Sequence, residues 1–225
     1  MLENAWGMPA GAWWVHTGIE LEEDSGDFPT TKAIVHFRHG LTQRAMMTGT
    51  AQLVRYNSDA YTAWGGANTG IGIQYQVYGG QNSTSALQLK GELLAPTGGM
   101  STGHVNFAGG LDASWKRGAS GLHFNGHHTW GSVNGKRLDN RVGVSEVDRW
   151  RLAAGTNRWL VADRVNLALT FLAAKPIRPK DTELSLELGV RALLSGHWGL
   201  SGGGGAGLRE RGQEYIWRFG IDYRR

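Results

Sequence analysis

Thr182–Gly203 reads TELSLELGVRALLSGHWGLSGG. Leu184, Leu186, Leu188, Val190, Ala192 and Leu194 take every second place, with Glu183, Ser185, Glu187, Gly189 and Arg191 between them. Side chains on a strand alternate faces with period two, so this is a strand with one apolar and one charged face. Two architectures share that pattern. In a soluble sandwich or barrel the apolar face is the core. In a transmembrane barrel the apolar face meets lipid and the polar face lines the lumen. The fold turns on which face is inside.

The same period recurs along the whole chain. Twelve segments carry it: 12–24, 31–41, 44–57, 69–79, 84–95, 101–116, 119–131, 146–158, 163–175, 181–193, 196–208 and 213–224. Each is close to the ~9 to 11 residues that cross a bilayer as a tilted strand, with some overhang. The connections alternate in length. Five are tight: Thr42-Gln43, Gly80 to Ser83, Arg117-Gly118, Trp159 to Ala162 and Leu194 to Gly196. The others are mostly longer and rich in turn residues, such as SDAYTAWGGAN and SVNGKRLDNRVGVS. A meander with tight turns at one end and longer loops at the other is the organisation of an outer-membrane barrel. An even strand count puts both ends of the meander on the tight-turn side, which in such barrels is periplasmic.

Sorted by parity, one face gathers Trp13, Val15, Ile19, Ile71, Ile73, Leu87, Leu89, Phe107, Leu122, Phe124, Leu167, Leu169, Trp217 and Phe219. The other carries the polar set. Its members are His16 and Glu20 on the first segment, His36 and Arg38 on the second, and Gln74 on the fourth. Lys90 and Glu92 follow on the fifth, His104 and Asp112 on the sixth, and His123 and His127 on the seventh. Arg149 and Arg151, Arg164, then Glu183, Glu187 and Arg191, then Arg218 and Asp222 complete it. Trp13, Trp115, Trp130, Trp150, Trp159, Trp198, Tyr215 and Tyr223 sit toward segment ends, where an interfacial girdle belongs. The inverted answer follows. The leucines face lipid and the charges face a bore.

Composition narrows the alternatives. The 225 residues suffice for one large domain, taken as a single barrel over 1–225. Charged residues are 19% and Gly is 35 of the chain. There is no Cys, which excludes disulfides, thiolate metal sites and Cys nucleophiles. The net charge of +4 is scattered and forms no basic block, so nucleic acid is not an expected partner. No apolar run reaches the ~18 residues of a membrane helix. Met1-Leu2-Glu3-Asn4 does not begin a signal peptide. A cytosolic chain and a mature exported chain both fit that start, and the barrel pattern favours the exported one.

YIWRFGIDYRR, at 215–225, resembles the C-terminal assembly signal of outer-membrane barrels. Arg218, Gly220 and Tyr223 fit it, and Arg225 stands where the pattern expects Phe. VHFRHGLTQRAMMTGTAQLVRY, LELGVRALLSGHWGLSGGGGAGL and WRFGIDYR are similar to the strand–turn–strand units of transporter-like barrels of the MetA-pathway of phenol degradation family. The Gly-Leu-Thr-x-Arg turn is matched by Gly40 to Arg44, and the Leu-Glu-x-Gly-x-Arg strand by Leu186 to Arg191. The resemblance implies an outer-membrane channel for small or aromatic compounds and supplies no catalytic residues.

The expectation is therefore an all-β, closed twelve-stranded antiparallel up-and-down transmembrane barrel. It would serve as a porin-like channel for passive diffusion of small solutes, with outer-membrane lipid and lipopolysaccharide around it and no cofactor. Twelve strands enclose a bore between those of filled eight-stranded barrels and open sixteen-stranded porins. Gly199, Ser201, Gly203 and Gly205 leave room in it. A closed structural barrel is one alternative. A lipid-modifying enzyme is another, with His128, Ser132 and Asn134 near the longest loop, although a nucleophile needs its base within hydrogen-bond reach. His123, His127 and His104 raise a metal constriction, against which plain polar lining is the preferred reading.

Overall fold

The computed structural model describes residues 5–24, 30–57, 62–80, 83–131, 149–161, 164–176, 182–208 and 213–225. The strands are β1 (Trp13–Asp24), β2 (Thr30–Gly40), β3 (Ala45–Asn57), β4 (Thr62–Gly66), β5 (Asn68–Tyr78), β6 (Ser85–Pro96) and β7 (Asn106–Arg117). They continue as β8 (Ser120–Trp130), β9 (Arg149–Leu160), β10 (Val165–Pro176), β11 (Glu183–Leu193), β12 (Trp198–Gly207) and β13 (Gln213–Arg224). Pairing is antiparallel throughout, between chain neighbours except that β5 pairs β3 rather than β4, and β1 pairs β13, so the sheet closes. The seam is sealed by reciprocal backbone bonds, Trp13 N–H to the Arg225 carbonyl at 2.8 Å and the reverse at 2.9 Å. Closure leaves no open seam around the barrel, the condition for a sheet to cross lipid, and among the described residues the short β4 pairs on the β3 side alone.

Thirteen strands make twelve staves. The far half of β3, Leu53–Asn57, pairs β4, and its near half, Ala45–Thr50, pairs β5. One stave is interrupted at Ala67, whose N–H bonds the Gln52 carbonyl at 3.0 Å. This differs from the sequence reading, which placed SDAYTAWGGAN, at 58–68, in a loop because it is rich in turn residues. The segment expected from 101 begins at Asn106 instead. Ser101 and Thr102 fold back, with the Asn68 side-chain carbonyl accepting from Thr102 N–H at 3.2 Å. The expected strand 146–158 runs 149–160.

The tight connections lie at one end. The shortest is Gly118-Ala119, where Gly118 takes φ +58°, a left-handed conformation that suits hairpin turns and glycine.

The barrel is inside out relative to a soluble protein. Its outward positions are large and apolar, with Ile71 at 59% and Leu188 at 62% exposure. Its inward positions are buried and polar, among them Gln76, Gln88, Asp112, Ser114, Thr170 and Glu187. Outward aromatics form two rings. Trp13, Tyr78, Trp115, Trp198 and Tyr223 sit at the tight-turn end, and Trp64, Phe107, Trp130, Trp150 and Tyr215 at the other. Trp159 does not join a ring, because pairing with Asn166 and sharing the parity of Asn157 turns it inward.

Candidate functional site

The inward face divides into levels. Near the loop end, charges pair across strands. Arg218 on β13 donates Nε–H to Glu20 on β1 at 2.6 Å and also pairs with Glu187 on β11. Lys32 on β2 reaches Glu20 at 3.3 Å and Glu22 as well. Arg149 on β9 pairs with Glu183 on β11. These side chains share the inner face because inward positions are even-numbered on β1, β2 and β13 and odd-numbered on β9 and β11, and they pair between adjacent staves or across one. Removing one partner strands the others in a poorly solvated wall. Arg218→Leu is expected to cost about 3 kcal/mol of stability, the lower range for breaking a buried pair. The midpoint of urea unfolding in detergent checks this, and an unchanged midpoint would contradict the pairing.

At mid-height, Lys90 on β6 lies 3.4 Å from Asp112 on β7, a carboxylate with 0% exposure, and Asn125 on β8 donates to the same oxygen at 2.7 Å. Gln74 is buried on β5, opposite Lys90, and Glu92 lies over Gly70. His127 and Arg151 face one another between β8 and β9.

Nearer the tight turns, His16 meets His36 across β1–β2 and bonds Asp222 at 3.0 Å, while His36 bonds Thr50 Oγ1 at 3.0 Å. Arg191 lies 2.9 Å from the second Asp222 oxygen. Arg38 sits 4.8 Å over the Trp14 ring, a cation–π contact.

On the opposite wall, the segment preceding β1 enters the barrel. Ala5 is fully buried, and its N–H donates to Ser114 Oγ at 2.9 Å. Its carbonyl accepts from Gln76 Nε2 at 3.3 Å, and Trp6 Nε1–H donates to the Ser83 carbonyl at 3.1 Å. Trp6 packs edge-on to His123 at 6.0 Å, with the Lys116 ammonium 5.3 Å from its ring. Ser114 Oγ in turn bonds His123 Nδ1 at 2.9 Å, and His123 Nε2 bonds Asn157 at 3.0 Å. A consistent proton order has Ser114 donating to Nδ1 and Nε2–H donating to Asn157, which joins the segment to three staves.

Met8 and Pro9 then cross Gly40 at the end of β2. A Cβ at Gly40 would stand 1.9 Å from the Pro9 carbonyl oxygen. Gly40→Ala is expected to lift the segment off the wall and raise conductance without removing a residue. Single-channel recording checks it, and wild-type conductance in that variant would show that the segment holds its place by other contacts.

Two expected residues are not on the inward wall. His104 lies in the exposed connection before β7, its carbonyl accepting from Thr102 Oγ1 at 3.0 Å. Arg164 occupies the exposed turn before β10, its N–H donating to the Val161 carbonyl at 3.1 Å. The proposed grouping of His104 with His123 and His127 fails for that reason. Among the described residues no cluster of three His, Asp or Glu could hold a metal ion. His128 turns outward and packs 4.6 Å from the Trp130 ring, whereas Ser132, Asn134 and the loop around them lie outside the described residues. Trp14, Lys32 and Arg224 were not among the expected residues, although parity with His16, Arg38 and Asp222 places each on the inner face.

The chain superimposes on the COG4313 outer membrane channel from Pseudomonas putida F1 with a TM-score of 0.73, at 16% identity, over 98% of this chain and 97% of that one. The fold is that of the outer-membrane channel barrels. The NanC porin matches at TM-score 0.65 and 9% identity, over 94% of this chain and 98% of the porin. The KdgM porin matches at 0.63 and 8%, over 93% and 98%. No family model and no curated protein matches the chain. The likeness to these barrels therefore lies in the fold.

Proposed function

We propose that the chain resides in a bacterial outer membrane, among lipid and lipopolysaccharide, and passes small solutes passively through its polar lumen. The carrying observation is the inverted wall. Apolar residues and two aromatic rings face outward, while paired charges, amides and hydroxyls face inward. The inward residues line the path: His16, Glu20, His36, Arg38, Gln74, Lys90, Glu92, Asp112, His123, His127, Arg149, Arg151, Glu183, Glu187, Arg191, Arg218 and Asp222. Selection then comes from bore width and wall charge, without bond chemistry. The KdgM porin, a neighbour in fold, has been solved in complex with disordered oligogalacturonate, which supports a solute-bearing role for this architecture.

Liposome swelling tests the reading. Vesicles carrying the folded protein should swell in isotonic arabinose faster than empty vesicles, and equal rates would contradict passage of small solutes.

A further inference from the structure

We propose that the tight-turn third of the lumen holds a binding site for small anions, built on Arg191 and Arg224, and that its ligand is the carboxylate group of a permeating solute. The transport half of this proposal rests on the channel reading above. The binding half does not.

Arg224 on β13 and Arg38 on β2 flank Trp14 in register, and Arg191 on β11 reaches across β12 to Asp222 on β13, so the three lie on one level. Asp222 is the side-chain carboxylate beside Arg191 and Arg224: His16 Nδ1 bonds one oxygen at 3.0 Å, and Arg191 Nε lies 2.9 Å from the other. Among the described residues, three guanidiniums thus share this level with one such carboxylate. Toward the loop end the balance differs, since Glu20, Glu22, Glu183 and Glu187 offset Lys32, Arg218 and Arg149. The excess of positive charge is local to one level.

Buried polar atoms without a hydrogen-bond partner gather on that level: Nε and Nη2 of Arg191, Oδ2 of Asp222, and Nε1 of Trp14, which pairs in register with Arg224. Between β11 and β13 the inner face of β12 carries Gly199 and Ser201, and Gly199 lies opposite Asp222. No large side chain from β12 fills the space beside the guanidiniums. A planar carboxylate matches their fork of N–H donors, and the low dielectric of the wall strengthens the contact.

The test is the reversal potential of the full chain in a potassium chloride gradient. The wild type should favour chloride over potassium by about threefold or more, as a basic constriction does. Arg191→Gln with Arg224→Gln should bring the ratio close to one, and Arg191→Lys with Arg224→Lys should retain it. Arg224→Gln alone replaces the double variant if that fails the heat-modifiable gel shift, with a smaller fall expected. A cation-preferring or unselective wild type, or Gln variants with the full chloride preference, would overturn the site. If the folded wild type carries no current, the channel reading fails, and the site is judged by calorimetric titration of the detergent-folded protein with sodium citrate. Heat lost in the Gln variants supports it, and absence of heat in the wild type overturns it.

Discussion

Deleting residues 2–9 is expected to raise unit conductance by about two- to fourfold, since current follows the free cross-section of the narrowest level. Ala5 and Trp6 occupy the lumen between β5, β7 and β8, held by Gln76, Ser83 and Ser114. Their removal uncovers Gln76, Ser114 and His123, which water then satisfies at little cost. The barrel itself does not depend on them, because its seam closes from Trp13 to Arg225. The truncated chain should therefore keep its heat-modifiable gel shift while its conductance histogram moves upward. An unmoved histogram would mean that the segment does not limit the path.

Leu188→Arg is expected to abolish or strongly reduce assembly into vesicles. Leu188 is at the middle of β11 and faces outward, where an arginine at the bilayer midplane costs about 2 to 4 kcal/mol. The next residue supplies the control. A Cβ at Gly189 would point inward and meet nothing nearer than the Gly202 carbonyl at 3.9 Å. Gly189→Arg should consequently fold and insert. The folded fraction of each variant, read on an unheated gel after insertion, checks the pair. Equal loss in both, or loss only at Gly189, would reverse the assignment of faces.

That assignment was legible in the residues of TELSLELGVRALLSGHWGLSGG, because a period of two is a local property that each strand carries by itself. The staves and their alternation of short and long connections were legible for the same reason. What escaped depends on distant partners. Ala5 and Trp6 have no periodicity, and nothing local joins them to Gln76, Ser114 and His123. β4 was read as part of a loop because SDAYTAWGGAN is rich in turn residues, yet the backbone of Leu53–Asn57 offers it a ladder. His104 was placed on a strand by alternation, and the bonds among Asn68, Thr102 and Asn106 bend that stretch away. Lys32, Trp14 and Arg224 were within reach of parity alone. Their roles come from cross-strand register, which brings Trp14 between Arg38 and Arg224.

Planar-bilayer recording of the full chain tests the central claim most directly. Purified protein that shows the heat-modifiable shift should give stable, stepwise current increments. Persistent silence from such protein would contradict a channel and leave a closed barrel.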